Sequence, residues 1–313
     1  MARRILLDTD IGTDVDDALA LAFALRHPEI ELAAVTTVSG DTRRRGQIAA
    51  KLIALNGGPR IEVAAGRSEP VGGQGRTFWG GHEGRGLLEE GEDVPISSRD
   101  GVDVIVDTLL AEQMEVVTIG PLTNLAAALE REPRIAGRIP RLTVMGGFFH
   151  RCELEGKLVP PSTDYNLNAD PQAALAVLST PIPTTYVPAD VTMRTYLLEE
   201  HLQRLEDSSD PLLAALARLV RVWTPILANL FAIGGLVMPR GLAAIPHDPL
   251  ALATLVDRRF VTTEMLPATV AVAGGFLRTF VDPVAGREMQ VVTDVDAHAF
   301  AAFFLETLGA PVP

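Results

Sequence analysis

Residues 4–26, RILLDTDIGTDVDDALALAFALR, decide the fold: a short apolar strand over 4–7 runs into an acidic loop, and an apolar helix follows over 17–26. Five aspartates, Asp8, Asp10, Asp14, Asp16 and Asp17, fall within ten consecutive positions. Two carboxylates about 4 Å apart repel by roughly 1 kcal/mol in water and several times more near a protein surface. A folded cluster of this kind must protonate, spread apart or bind a cation. With no Cys or His nearby, the donors on offer are hard oxygens, which suit Ca²⁺, Mg²⁺ or Mn²⁺ rather than Zn²⁺. Helix capping accounts for one aspartate at the start of the helix, not for five. An EF-hand is excluded because Gly12 falls one position too early after Asp8 and no glutamate closes a twelve-residue loop.

Outward from this stretch, β-rich runs over 32–38, 61–64, 116–119, 142–145 and 184–187 alternate with helical stretches over 42–55, 102–111, 122–130 and 171–178. That alternation predicts an α/β fold: an open, mostly parallel, Rossmann-like sheet with helices on both faces. Residues 197–236 read as mostly helical. Short carboxyl-terminal strands are expected over 261–266, 269–273, 277–281 and 289–292, then a helix over 297–308. No composition break divides the chain, so residues 1–313 are expected to form a single domain. Two long loops, 66–99 and 146–163, interrupt the pattern, and loops of that length are usually functional or mobile. The glycines of the first do not sit between a strand and a helix start, so they are not a dinucleotide fingerprint. Asp8, Asp10, Asp41, Ile119-Gly120-Pro121 and Met145-Gly146-Gly147 all follow strands, where open α/β sheets bind their ligands.

The chain of 313 residues is 47% hydrophobic, enough for a large core, and its net charge of −13 argues against nucleic acid as a partner. The basic run Arg43 to Arg45 reads as a solvated helix face. Lys51 and Lys157 are the only lysines. A lone Cys152 cannot form an internal disulfide, and too few apolar residues precede Asp8 for a signal-peptide core. The apolar segment 226–238, bounded by Pro225 and Pro239, is too short to span a bilayer. A soluble cytoplasmic protein without a membrane partner is therefore expected.

The motifs DTDIG…DDALA, AVTTVSGD, IGPLTNLA, VMGG, DYNLNADPQAA, PHDPLA and MQVVTDVDAHAF occur in order along nearly the whole chain. In that combination the sequence resembles the inosine–uridine-preferring nucleoside hydrolase family. The resemblance implies the nucleoside hydrolase fold, a homodimer or homotetramer, and cleavage of ribonucleosides to free base and ribose by a Ca²⁺-bound water that Asp10 activates. It implies Asp10, Asp17, the carbonyl of Ile119 and Asp248 as Ca²⁺ ligands. Asp16, Asp164 and Asn166 would hold ribose hydroxyls, Met145 would line the sugar pocket, and His247 would protonate the leaving base. Asp41, also expected to bind substrate, stands where the family often has Asn, and Asp164 replaces a longer Glu. The acidic motif is two residues longer than the family's DxDxGxDD form. Asp16 and Asp17 are paired with its adjacent aspartates because Ala18-Leu19-Ala20 follows, with Asp14 as the alternative. The loop position that usually holds a histidine has Gly80-Gly81, and His82 lies two positions later.

The chemistry of such a site stands apart from the resemblance. N-glycosidic cleavage passes through an oxocarbenium-like sugar, which a carboxylate-rich site stabilises. A histidine of ordinary pKa, near 6.5, could protonate the departing base near neutral pH. Taken singly, His247-Asp248-Pro249 is a turn before a helix, Asp164 and Asn166 are turn residues, and Met145 is core. Trp79, Phe148, Phe149 and Trp223 default to packing. Two rival functions compete. Asp8-Thr9-Asp10 after a strand resembles a haloacid-dehalogenase-like phosphatase, although that motif wants Thr or Val where Gly12 sits, and a lysine. A non-catalytic, metal-dependent ribose or nucleoside binding protein would share every ligand and differ only in turnover.

Overall fold

The computed structural model describes residues 2–310 apart from 74, 76, 155 and 160. In chain order the elements are β1 (Arg3–Thr9), α1 (Asp16–Arg26), β2 (Ile30–Thr37), α2 (Thr42–Asn56), β3 (Glu62–Ala65), α3 (Gly101–Ala111), β4 (Glu115–Thr118), α4 (Thr123–Arg131) and β5 (Leu142–Met145). Then come β6 (Cys152–Leu154), β7 (Lys157–Val159), α5 (Tyr165–Ala169), α6 (Pro171–Ser179), β8 (Thr184–Val187), α7 (Ala189–Thr192), β9 (Leu197–Leu198), α8 (Glu199–Glu206) and α9 (Pro211–Ile233). The last are β10 (Leu242–Ala244), α10 (His247–Val256), β11 (Val261–Ala273), β12 (Phe276–Val281), β13 (Arg287–Val295) and α11 (Ala297–Leu308).

Ile5 and Leu7 of β1 turn into one hydrophobic core and Leu6 into the other, the two-residue period of a strand buried on both faces. One core is roofed by α1, α2, α9, α10 and α11, the other by α3, α4 and α6. Helix α1 is buried along residues 16–24 because α2, α9, α10 and α11 all pack on it, which is why its sequence is apolar all round. The central sheet has the order β12-β11-β13-β8-β5-β4-β1-β2-β3. From β13 to β3 the strands are parallel, and β11 runs antiparallel to both β13 and β12. The strand order reverses between β1 and β4, so the crevice beyond their carboxyl ends is the topological switch point.

Several local expectations need correction. The separate strands expected over 261–266 and 269–273 are one strand, β11, that passes through Pro267. The Pro267 carbonyl accepts from Asp282 N at 2.7 Å, so its missing N–H falls on that same side, at the end of the β12 ladder, and no β13 pairing is lost. Pro225 does not bound the apolar segment but lies inside α9, and that 23-residue helix is long and apolar enough, by length and composition, to cross a membrane. Its Leu212, Leu216, Val220, Trp223 and Leu227 face is buried against the protein's own core. The loop 146–163 holds the β6–β7 hairpin, and the stretch 197–236 includes the short β9, which pairs with β10. The solvated basic face is wrong at one position: Arg45 is fully buried.

Candidate active site

The acidic loop leaves β1 at the switch point, and its backbone is turned by Gly12 at φ 119°, against which Ile48 of α2 packs. A side chain there would meet both a disfavoured backbone region and that methyl group. Asp8 stays in the sheet: Thr36 Oγ1 and Asn124 Nδ2 donate to its Oδ1 at 2.6 and 2.8 Å. Burial pushes its carboxyl up to about 7. It ties β1, β2 and α4 together beneath the site.

Asp16 and Asp17 occupy the first turn of α1, and Asp248 the first turn of α10. Two helix N-termini, with their free amides and positive dipole ends, thus face one set of carboxylates. Carboxylate oxygens of Asp16, Asp17 and Asp248 lie within 4.8 Å of one another, all three residues buried. Thr9 Oγ1 donates to Asp17, and the Asp248 N–H donates to Asp16 Oδ2 at 3.3 Å. Burial, then repulsion among Asp10, Asp14, Asp16, Asp17 and Asp248, pushes the carboxyls of Asp16, Asp17 and Asp248 well above the ordinary range. Asp10, also buried, is raised by burial and held down by the Arg45 guanidinium beside it. Asp14 rises to about 8 through burial first, but lies outside the three-carboxylate group. Asp248 Oδ1 is buried and has no hydrogen-bond partner among the described residues. A buried carboxylate oxygen left without a partner beside other carboxylates fits a hard divalent cation.

The other expected residues sit at strand ends and helix starts. Ile119 follows β4 and Met145 ends β5. Asn166 Nδ2 donates to the Ile119 carbonyl at 3.0 Å and the Met145 carbonyl at 3.1 Å, clamping those two strand ends. Asp164 caps α5 by accepting from Leu167 N at 2.9 Å, and burial raises its pKa. His247 opens α10, with its Nδ1 2.7 Å from Thr192 Oγ1. Burial pushes its pKa down to about 4, so its ring lacks the ordinary titration expected from sequence. Asp41 is exposed and caps α2, accepting from Arg44 N at 2.9 Å. Gly120 lies so close to Asp10 that a Cβ would stand 2.7 Å from Asp10 Oδ1.

The loop 66–99 reaches this centre. His82 Nε2 lies 2.7 Å from the Thr13 carbonyl, and Thr13 Oγ1 lies 3.2 Å from Glu83 Oε1. Neither lysine serves the site: Lys51 pairs with Glu92, and Lys157 donates to the Gly235 carbonyl at 2.5 Å. A phosphatase of the dehalogenase type therefore lacks its cation. Sequence reasoning missed Arg45, although it shares the i, i+3, i+4, i+7 face of α2 with the buried Ile48, Ala49 and Leu52.

Fold and site together define a Rossmann-like α/β protein with a buried carboxylate centre at its switch point, suited to a divalent cation. Residues 5–302 match the model of the inosine-uridine preferring nucleoside hydrolases, and the chain belongs to that family. It is 29% identical to the inosine-uridine preferring nucleoside hydrolase of Crithidia fasciculata over 88% of this chain and 85% of that one. It is 30% identical to the pyrimidine-specific ribonucleoside hydrolase RihB of Escherichia coli over 67% of this chain and 66% of that one. A solved purine-preferring ribonucleoside hydrolase from Gardnerella vaginalis superposes with a TM-score of 0.82 at 28% identity, covering 98% of each chain. The protein is an N-ribohydrolase of the nucleoside hydrolase fold.

Proposed function

We propose that the protein hydrolyses ribonucleosides to free base and ribose in a Ca²⁺-dependent reaction, with Asp10, Asp17, Asp248 and the Ile119 carbonyl as the ion's ligands. The observation that supports this reading is the convergence of Asp16, Asp17 and Asp248 from two helix N-termini onto one buried point beside Asp10. A bound Ca²⁺ supplies fixed positive charge that grips vicinal hydroxyls and acidifies water.

The chain's own groups do the rest. Asp10 takes the proton of the attacking water, since a carboxylate raised by burial is a better base than an exposed one. Asp16, Asp164 and Asn166 orient the ribose, and Met145 walls its pocket. The surrounding carboxylates stabilise the sugar as it gains oxocarbenium character. His247 meets the departing base. Asp41, exposed at the α2 cap, belongs to the rim.

Relatives named for inosine–uridine, pyrimidine and purine preference all match this chain, and we assign base choice to the loops 66–99 and 146–163 rather than to the carboxylate centre. Assembly as a homodimer or homotetramer, and a cytoplasmic location suggested by the lone Cys152, complete the proposal.

The test incubates the protein with inosine, uridine, adenosine and cytidine, with Ca²⁺ and after chelation, and measures reducing sugar. Ribose release that chelation abolishes and Asp10→Ala lacks is the expected result. Tight nucleoside binding without sugar release would instead make this a binding protein.

A further inference from the structure

Beneath the acidic loop lies a cation that the reaction outlined above leaves without a role. Arg45, on α2, is fully buried. Its Nε donates to the Ser39 carbonyl at 2.7 Å, and one terminal nitrogen donates to the carbonyls of Asp10 and, at 3.0 Å, Ile11. The other terminal nitrogen donates to Thr13 Oγ1 at 3.1 Å, and the guanidinium carbon sits 5.2 Å from the ring centre of Trp79. These four hydrogen-bond partners, among the described residues, are uncharged oxygens. A buried charge served only by neutral acceptors is costly unless opposite charge stands nearby. Here the aspartate cluster supplies it.

The arrangement has a directional logic. Ser39 is the one non-glycine among the described residues with positive φ, at 69°, and its carbonyl is turned onto the guanidinium. The planar fork thus gathers the segment after β2, the backbone of Asp10 and Ile11, and the Thr13 side chain around a single rigid group. Trp79 and, through Thr13, Glu83 attach the loop 66–99 to the same group.

We propose that Arg45 is a positioning residue for the hydrolysis: it clamps the main chain of Asp10 and Ile11 so that the Asp10 carboxylate is presented at the cation site. The proposal rests on the reading of the aspartates as a divalent-cation centre. Groups that orient a metal ligand typically change affinity or turnover by about 10–100-fold when lost.

The experiment compares wild type with Arg45→Lys and Arg45→Met, measuring Ca²⁺ affinity by calorimetry without nucleoside, then kcat and KM for the best nucleoside. Ca²⁺ affinity and kcat are expected to fall in the order wild type, Lys, Met, by about tenfold or more for Met, with KM changed less. Folded variants with wild-type Ca²⁺ affinity and kcat, merely lower in melting temperature, would overturn the proposal. If Met does not fold, the Lys variant decides on the same two readouts. If neither folds, Thr13→Val, which removes one acceptor and keeps the packing volume, must weaken Ca²⁺ binding or the idea is wrong. A wild type that binds Ca²⁺ without cleaving any nucleoside would defeat the functional reading alone, because the affinity series would still report on Arg45.

Discussion

The backbone N–H of Asp248 donates to the carboxylate of Asp16 at 3.3 Å across 232 residues of chain. That bond joins the N-terminus of α10 to the N-terminus of α1. The two helices pack on each other in the core, so the acidic ends cannot drift apart to relieve their repulsion. Hydrophobic burial holds the carboxylates together, and without a cation the site is a source of instability.

The pH dependence of the cation-free protein follows in sign. The carboxyls of Asp8, about 7, and Asp14, about 8, and those of Asp16, Asp17 and Asp248 lie above the ordinary 3.8 that they regain on unfolding. A raised folded-state pKa gives stability that is fully present below about 3.8 and is lost as pH rises through the folded values. Chelated protein should therefore lose melting temperature between about pH 4 and 8 from this cluster. Ca²⁺ binds the deprotonated set, so the stabilisation it adds should grow across the same window, reaching about 2.7 kcal/mol where Ca²⁺ stands at a hundredfold excess over Kd. Scanning calorimetry with and without Ca²⁺ at several pH values isolates the effect. An increment independent of pH would show that the cluster is already ionised without the cation.

Asp248→Asn separates stability from function. The amide keeps the shape but removes one charge from a buried group of like charges, a relief on the order of 1–3 kcal/mol. The chelated variant should melt above chelated wild type at pH 8, gain little from Ca²⁺, and release no measurable ribose. A variant that melts below chelated wild type at that pH would mean that Asp248 is compensated by something other than a cation.

Which of these features the sequence carried depends on how local their cause is. The β1–α1 stretch was legible because a two-sided buried strand and a wholly buried helix leave continuous apolar runs around the aspartates. Asp248 was legible only through the ordered motifs, since nothing local joins it to Asp16. Arg45 was hidden because its neighbours Arg43 and Arg44 are on the exposed or partly exposed side of the same helix, and a charge run outweighs periodicity to the eye. Pro225 and Pro267 misled for a different reason. Proline opposes helix and strand locally, but α9 is held by its buried face, and β11 turns the missing N–H away from its main partner. The β9–β10 pair and the β6–β7 hairpin are too short to show any period.

His247 illustrates how burial changes a role. Burial pushes its pKa down to about 4, so near neutral pH the ring is mostly neutral and can act as a hydrogen-bond donor rather than as a resting imidazolium. In the tautomer with Thr192 donating to Nδ1, Nε2 carries a proton that a departing base can accept as a hydrogen bond. His247→Gln should lower kcat for inosine by about 100-fold, at the low end for a lost proton donor. A riboside with a nitrophenolate leaving group, which needs no proton, should be cleaved almost as by wild type. Equal losses on both substrates would assign His247 to sugar or cation binding instead.

Gly120 tests whether the placement of Asp10 matters as much as its charge. The residue follows Ile119 at the end of β4, and a Cβ there would lie 2.7 Å from Asp10 Oδ1 and 2.8 Å from Asp10 N. Both distances are well inside contact, and one of the atoms is backbone, so a rotamer change cannot relieve the clash. Gly120→Ala must push the acidic loop away from the β4 end, where the Ile119 carbonyl is the other ligand expected from this pair of strands. Overpacking of this size costs about 1–3 kcal/mol of stability, whereas a shift of about 1 Å in a catalytic group can cost 100-fold in rate. The variant should therefore fold, with a lower melting temperature, while losing Ca²⁺ affinity and at least 100-fold in kcat. Near-normal turnover in a destabilised variant would show that the carboxylate reaches its target from more than one backbone position, and that the close fit between these strand ends serves packing alone.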